Sequence, residues 1–250
     1  MCEGILERMN KDGGSQFKFE EELTAFEKDF LSFHRIRLKS LLKLLDSEIE
    51  RNRKMKVLNI GLSVFDLIVK ERLLSTKDFD YSVAVPSLDF GKSIIYTGIK
   101  LIELDICNSK ETIKKYEGLF DFIIFSGVLE HLFCDDNKVL KNLQMLLKHH
   151  GRMLLAVPNA ASFVNRYKLI LGKNIHWSKE NILGGTEFGG YGHIREYTKP
   201  EVSELVTPLF NIIRYIPIND YIAKGINFGH FNKLIPTSWS IDIGVLLENK

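Results

Sequence analysis

Leu119-Phe120-Asp121-Phe122-Ile123-Ile124-Phe125-Ser126-Gly127-Val128-Leu129-Glu130-His131-Leu132 decides how this chain is read. From Phe120 to Phe125 only Asp121 breaks an apolar run. A strand that is apolar on both sides belongs inside a sheet covered on both faces. The run stops at Ser126-Gly127, where the chain turns out of the sheet, and Glu130 and His131 follow at its mouth.

Working outward, the same alternation continues on both sides. Downstream, Val139, Leu140, Leu143, Leu146 and Leu147 mark one face of a helix over about 136–148. A turn at His149-His150-Gly151 leads into the run Met153–Val157. Upstream stand the run Val57–Gly61, a helical stretch 64–75, the runs 82–86 and 100–104, and a polar helix 109–117. Strands alternating with helices predict a mostly parallel, doubly wound α/β sheet with helices on both faces, because each crossover must return the chain along the sheet. Ligands of such sheets bind beyond the carboxyl ends of the strands. After Pro158 come a helix near 161–171, a loop rich in glycine (Gly172, Gly184, Gly185, Gly189, Gly190, Gly192), a helix at 199–207, a strand at 210–216 and a last apolar run 241–247.

Before this unit, residues 1–15 read as a flexible tail, since Asn10-Lys11-Asp12-Gly13-Gly14-Ser15 buries little. Residues 16–52 read as an N-terminal helical extension. Leu23, Phe26, Phe30 and Phe33, then Leu38, Leu41, Leu42 and Leu45, fall at helical spacing. This stripe predicts a helix packed on the main domain, residues 53–250, or a lid over its pocket.

Composition narrows the partners. Of 250 residues, 45% are hydrophobic and 26% charged, and 34 Lys and Arg against 32 Asp and Glu leave a net charge of +2. No field of that size selects nucleic acid or an acidic membrane, so a small molecule is the expected partner. Cys2, Cys107 and Cys134 form no C-x-x-C pair, which predicts neither a disulfide framework nor a zinc knuckle and places the chain in a reducing cytoplasm. No apolar run approaches the about 18 residues needed to cross a membrane, and none near the start resembles a signal h-region. His149-His150 lacks further ligands at metal-binding spacing, so no metal site is expected.

The stretch 119–132 resembles the fourth-strand motif F-D-x-I-x-x-x-x-V-L-E-H of Rossmann-like S-adenosylmethionine-dependent methyltransferases. Gly151-Arg152-Met153-Leu154-Leu155-Ala156-Val157-Pro158-Asn159 and the leucines before it are similar to that family's L-x-x-L-L-x-x-G-G-x-L-L-x-x-V-P-N, with His150 at the first glycine. His193-Ile194-Arg195-Glu196-Tyr197-Thr198 is similar to the G-H-x-R-x-Y-T segment of a subgroup that often methylates sugars, glycan precursors and related metabolites. The likeness spans about residues 35–250 and implies a Rossmann-like fold and S-adenosyl-L-methionine as cofactor.

Position by position, the resemblance puts Asn59, Gly61 and Ser63 at the first-strand turn beside the methionine end of the cofactor. It makes Asp105 the acceptor of the adenine amine, with Ile106 on the ring, and sets Ser126 and Gly127 under the methionine part. His131 and His193 are the candidate bases for removing a proton from the acceptor. Asn159, Asn165, Arg166, Tyr191 and Arg195 would line the acceptor side, while His176 and Trp177 would stack on a sugar or hold the loop down.

Three positions depart from the family's D-x-G-x-G-x-G: Asn59 replaces the acid, Ser63 the second glycine and Phe65 the third. The second strand ends Val85-Pro86-Ser87 without the usual ribose acid, and Asp89 stands late. These departures motivate a second reading, a catalytically silent methyltransferase-like fold that serves as a binding or scaffolding subunit. A dinucleotide oxidoreductase is disfavoured, because G-x-G-x-x-G is missing from the first turn.

Overall fold

The computed structural model describes residues 23–51, 54–91, 98–183, 192–218, 222–223, 226–227 and 236–250. Helices α1 (Ala25–Phe33) and α2 (Arg35–Arg51) precede β1 (Lys56–Ile60), α3 (Val64–Val69), β2 (Asp80–Val85), β3 (Lys100–Glu103), α4 (Lys110–Lys115) and β4 (Phe120–Ser126). There follow α5 (Asp136–Leu146), β5 (Leu147–Pro158), α6 (Phe163–Ile170), α7 (Lys179–Leu183), α8 (Lys199–Val206), β6 (Phe210–Ile218), the short pair β7 (Ile222–Ala223) and β8 (Ile226–Asn227), and β9 (Asp242–Asn249). The seven-stranded sheet runs β3-β2-β1-β4-β5-β9-β6. Strands β1 to β5 pair in parallel, and β9 enters antiparallel between β5 and β6. The doubly wound, mostly parallel sheet is therefore as the sequence predicts.

Period-two alternation sorts the strand residues onto two cores. Val57, Phe122, Ile124, Leu154 and Leu246 face one cluster, which Leu38, Leu41, Leu42, Leu45 and Ile49 of α2 cover together with α3. Leu58, Ile123, Phe125, Met153, Leu155 and Val245 face the other, under α4, α5 and α8. Val139, Leu140, Leu143 and Leu146 of α5 are all completely buried, each worth about 1.5–3 kcal/mol of transfer energy. Leu143→Ala would forfeit part of this and leave a cavity, at about 2–5 kcal/mol.

Local differences from the expectation have local causes. The helical stretch 64–75 is an α-helix that widens into a π-helical turn, Lys70–Leu74. Strand β5 begins at Leu147, so His149 and His150 are exposed strand residues, with His150 at φ +60° and 3.5 Å from Glu248. Side chains of Phe26, Phe30 and Phe33 in the predicted stripe lie outside the described residues. Among the described residues no helix is long and apolar enough to cross a membrane.

Candidate active site

At the end of β1 the chain turns at Gly61, with φ +89° and its N–H on the Ala84 carbonyl at 2.9 Å. A Cβ there would meet Val128 Cγ2 at 3.2 Å, so the left-handed turn and the close neighbour both require glycine. Ser63 caps α3: its Oγ accepts from Phe65 N at 3.3 Å, and Asp66 accepts from Ser63 N at 2.7 Å. This capping box closes the helix start with side chains where a glycine loop would leave it open. Asp66, completely buried, also accepts from Asn59 Nδ2 at 2.8 Å and from the Tyr81 hydroxyl at 2.6 Å. Burial pushes the Asp66 carboxyl up to about 6, against the pull of those donors. Asn59, expected beside the cofactor, thus spends its amide on Asp66 and on the Gly61 carbonyl, 3.0 Å away. Phe65 is buried in the core below.

Asp105 stands half-buried after β3 and caps its own turn. Its two carboxylate oxygens accept from Cys107 N at 2.8 Å and Asn108 Nδ2 at 3.0 Å. Ile106 is buried in the core, and its carbonyl accepts from Asn142 Nδ2 at 2.7 Å. Against the expectation of no disulfide, Cys107 and Cys134 are bridged, with Cα atoms 6.2 Å apart and a sequence separation of 27. Parallel strands bring the turns after β3 and β4 to the same end of the sheet, a proximity that linear spacing does not reveal. Asp89 is exposed, with its N–H on Ser87 Oγ at 3.3 Å.

Beyond β4 the N-terminal helices supply what the sequence did not single out. Arg37 of α2 donates from Nη2 to Ser126 Oγ at 3.0 Å and stands 3.6 Å from the Asp242 carboxylate at the start of β9. Gly127 has φ +70°, and any Cβ on it would collide with the Arg37 guanidinium. Burial, with the Arg37 cation second, pushes the His34 imidazole down to about 4, so it is neutral at pH 7. The available signal was the basic group His34-Arg35-Ile36-Arg37 interrupting an apolar stripe.

Next to this guanidinium lies a second polar group. The 3-10 turn Leu129–His131 places Glu130 and His131 at the mouth of β4. Residues 192–198 cross the carboxyl ends of β4 and β5, fixed by Ile194 N on the Glu130 carbonyl at 2.8 Å and Tyr197 N on the Pro158 carbonyl at 3.0 Å. His193 therefore reaches His131, ring centroids 5.0 Å apart, and stacks on Trp177 at 4.4 Å. Its Nδ1 lies 3.8 Å from Glu196 Oε1, while Glu196 Oε2 accepts from Asn165 Nδ2 at 3.0 Å. Glu130 Oε1 is 4.0 Å from His131 Nε2. The two candidate bases are thus brought together, and Trp177 stacks on a histidine in the described structure.

The expected acceptor-side residues scatter. Asn159 is buried, its Nδ2 donating to the Ser240 carbonyl at 2.8 Å and its Oδ1 accepting from Ala161 N at 2.9 Å, so it ties the end of β5 to the segment before β9. Arg166 is exposed, donates to the Ala161 carbonyl at 2.7 Å and lies over the Trp239 ring at 5.1 Å. Arg195 pairs with Glu201 at 2.9 Å and Asp136 at 3.6 Å, on the α5–α8 side. Tyr191 lies outside the described residues.

No family model matches this chain, and no curated protein matches it in sequence. Solved structures do. A SAM-dependent methyltransferase from Thermotoga maritima is 15% identical with a TM-score of 0.57, over 89% of this chain and 94% of that one. The PH0226 protein of Pyrococcus horikoshii is 15% identical with a TM-score of 0.55, over 91% and 100%. A Burkholderia thailandensis 1,6-didemethyltoxoflavin-N1-methyltransferase, solved with S-adenosylhomocysteine, is 14% identical with a TM-score of 0.52, over 96% and 93%. By strand order and by these likenesses, the chain has the Rossmann-like fold found in SAM-dependent methyltransferases.

Proposed function

We propose that this protein is an S-adenosylmethionine-dependent methyltransferase acting on an oxygen or nitrogen of a small molecule. The observation that carries the reading is the Arg37 guanidinium held over Ser126-Gly127, beside Glu130, His131 and His193, at the carboxyl ends of the sheet. That is the edge where sheets of this kind take their ligands. The residues present fit the cofactor: the Arg37 cation, 3.6 Å from Asp242, is placed to attract a carboxylate, Gly127 puts no side chain in the way, and the half-buried Asp105 keeps lone pairs for an amine. S-adenosylmethionine, when bound, supplies a methyl carbon that bonds to the acceptor's lone pair as its bond to sulfur breaks and leaves a neutral thioether. Arg37, Ser126, Gly127 and Asp105 hold and orient. His131 and His193 take the proton that the acceptor must lose. A sugar or glycan intermediate is the favoured acceptor, supported by the resemblance of residues 193–198 alone.

One observation favours the alternative, a silent fold acting as a binding subunit: Asn59, Ser63, Asp66 and Tyr81 close the first turn with their own hydrogen bonds. Calorimetric titration with S-adenosylhomocysteine, on the protein and on Asp105→Ala, separates the two. Saturable micromolar binding weakened in the variant supports the transferase, whereas no heat at millimolar ligand sinks it and turns the search to protein partners.

A further inference from the structure

Glu130, His131 and His193 bring one carboxylate oxygen and two imidazole nitrogens within 4.8 Å of one another. A separate feature points to a missing ligand. Glu130 is 2% exposed, and its Oε2 is buried with no hydrogen-bond partner. A buried oxygen left without a donor costs about 1–3 kcal/mol, more when charged, and native structures keep few of them.

Glu130 Oε1 to His131 Nε2 is 4.0 Å, and His193 Nδ1 to Glu196 Oε1 is 3.8 Å. Ligands of a tetrahedral divalent ion, each about 2.0–2.2 Å from the metal, stand about 3.4 Å apart. Closing the set asks ligand atoms now within 4.8 Å of one another to approach to about 3.4 Å. Behind His193, Glu196 occupies the place of the carboxylate that orients a metal-bound imidazole, and Asn165 holds Glu196 in turn.

We infer that Glu130, His131 and His193 bind one divalent transition ion of the zinc or ferrous kind at the carboxyl end of β4. Two imidazoles and one carboxylate suit such ions and leave coordination positions open. The sequence expectation of no metal rested on spacing along the chain, which gave no sign that residues 192–198 cross over residues 130–131. The inference deepens the proposed reading, on which it rests for the ion's use: an acceptor hydroxyl takes an open position and loses its proton to solvent. Its oxygen keeps the electron pair that goes on to bond the methyl carbon. The acceptor class is then a hydroxyl compound, and with the ion bound His131 and His193 serve as its ligands in place of acting as bases.

The test is titration of chelator-stripped protein with Co(II), followed by visible absorption, and with Zn(II), followed by calorimetry. One equivalent binds at micromolar level or tighter. Glu130→Gln, which keeps the volume of the side chain, and His193→Ala each weaken binding by about tenfold or more, with circular dichroism confirming the fold. His149→Ala/His150→Ala, the exposed pair on β5, leaves it unchanged. No spectral change at millimolar Co(II), or binding that survives Glu130→Gln and His193→Ala, overturns the inference. S-adenosylhomocysteine binding by the stripped protein is measured alongside: its presence without metal binding defeats the ion alone, and its absence with metal binding defeats the transferase reading alone.

Discussion

Arg37 and Ser126 meet at 3.0 Å although 89 positions separate them. That contact makes a helix preceding the first strand part of the wall of the candidate site. A charge-assisted hydrogen bond from such a guanidinium to a ligand carboxylate is worth about 1.5–3 kcal/mol. Arg37→Ala will therefore weaken S-adenosylhomocysteine binding by about ten- to a hundredfold in calorimetry, and Arg37→Lys will restore only part, lacking the planar fork.

Gly127→Ala tests the same corner from below. Its φ of +70° costs a residue with a Cβ about 1–2 kcal/mol, and the new methyl displaces the guanidinium. Denaturant unfolding will show the single variant destabilised. In Arg37→Ala/Gly127→Ala the steric part disappears, so the double variant will be less destabilised than the sum of the singles.

Asp66 sets a pH dependence of stability. Its carboxyl is raised from 3.8 to about 6 by burial, so its contribution is full below 3.8 and is lost as pH rises through about 6. The loss amounts to about 3 kcal/mol. Urea unfolding at a series of pH values, taken as the difference between the protein and Asp66→Asn, will show that slope; a flat difference would refute it.

The Cys107–Cys134 bridge closes a loop of 27 positions. Chain-entropy arithmetic gives it about 3–4 kcal/mol. Cys134→Ser will lower the unfolding free energy by that order, and reductant will lower the melting temperature of the parent protein but not of the variant.

Much of this architecture is legible along the chain. The both-sided apolar run 120–125 and the one-sided stripe at Val139, Leu140, Leu143 and Leu146 carry their own geometry, because burial pattern follows local periodicity. The pairing of His131 with His193 followed from motif likeness. What stayed hidden depends on crossings between distant segments: Arg37 against Gly127, Cys107 against Cys134, and Glu130 buried under residues 192–198. Asn59 misled for a related reason. Its position in a motif suggested a ligand, while its actual partners, Asp66 and Tyr81, come from the next helix and the next strand. Asn159 likewise looked available, but its Nδ2 is taken up by the Ser240 carbonyl before β9 and its Oδ1 accepts from Ala161 N.

Strand β9 lies between β5 and β6 and hydrogen-bonds to both. Ribosomal synthesis produces β5 and β6 first, so the growing sheet holds an open slot until residues 242–249 emerge. Two strand edges with unpaired backbone N–H and C=O groups wait during that interval, and the Asp242 partner of Arg37 arrives only with the strand that fills it. The corner that orients the candidate site is consequently among the last parts of this sheet to be assembled. Nascent chains stalled before residue 242 will be cut readily by protease, where released chains that include residues 242–249 resist.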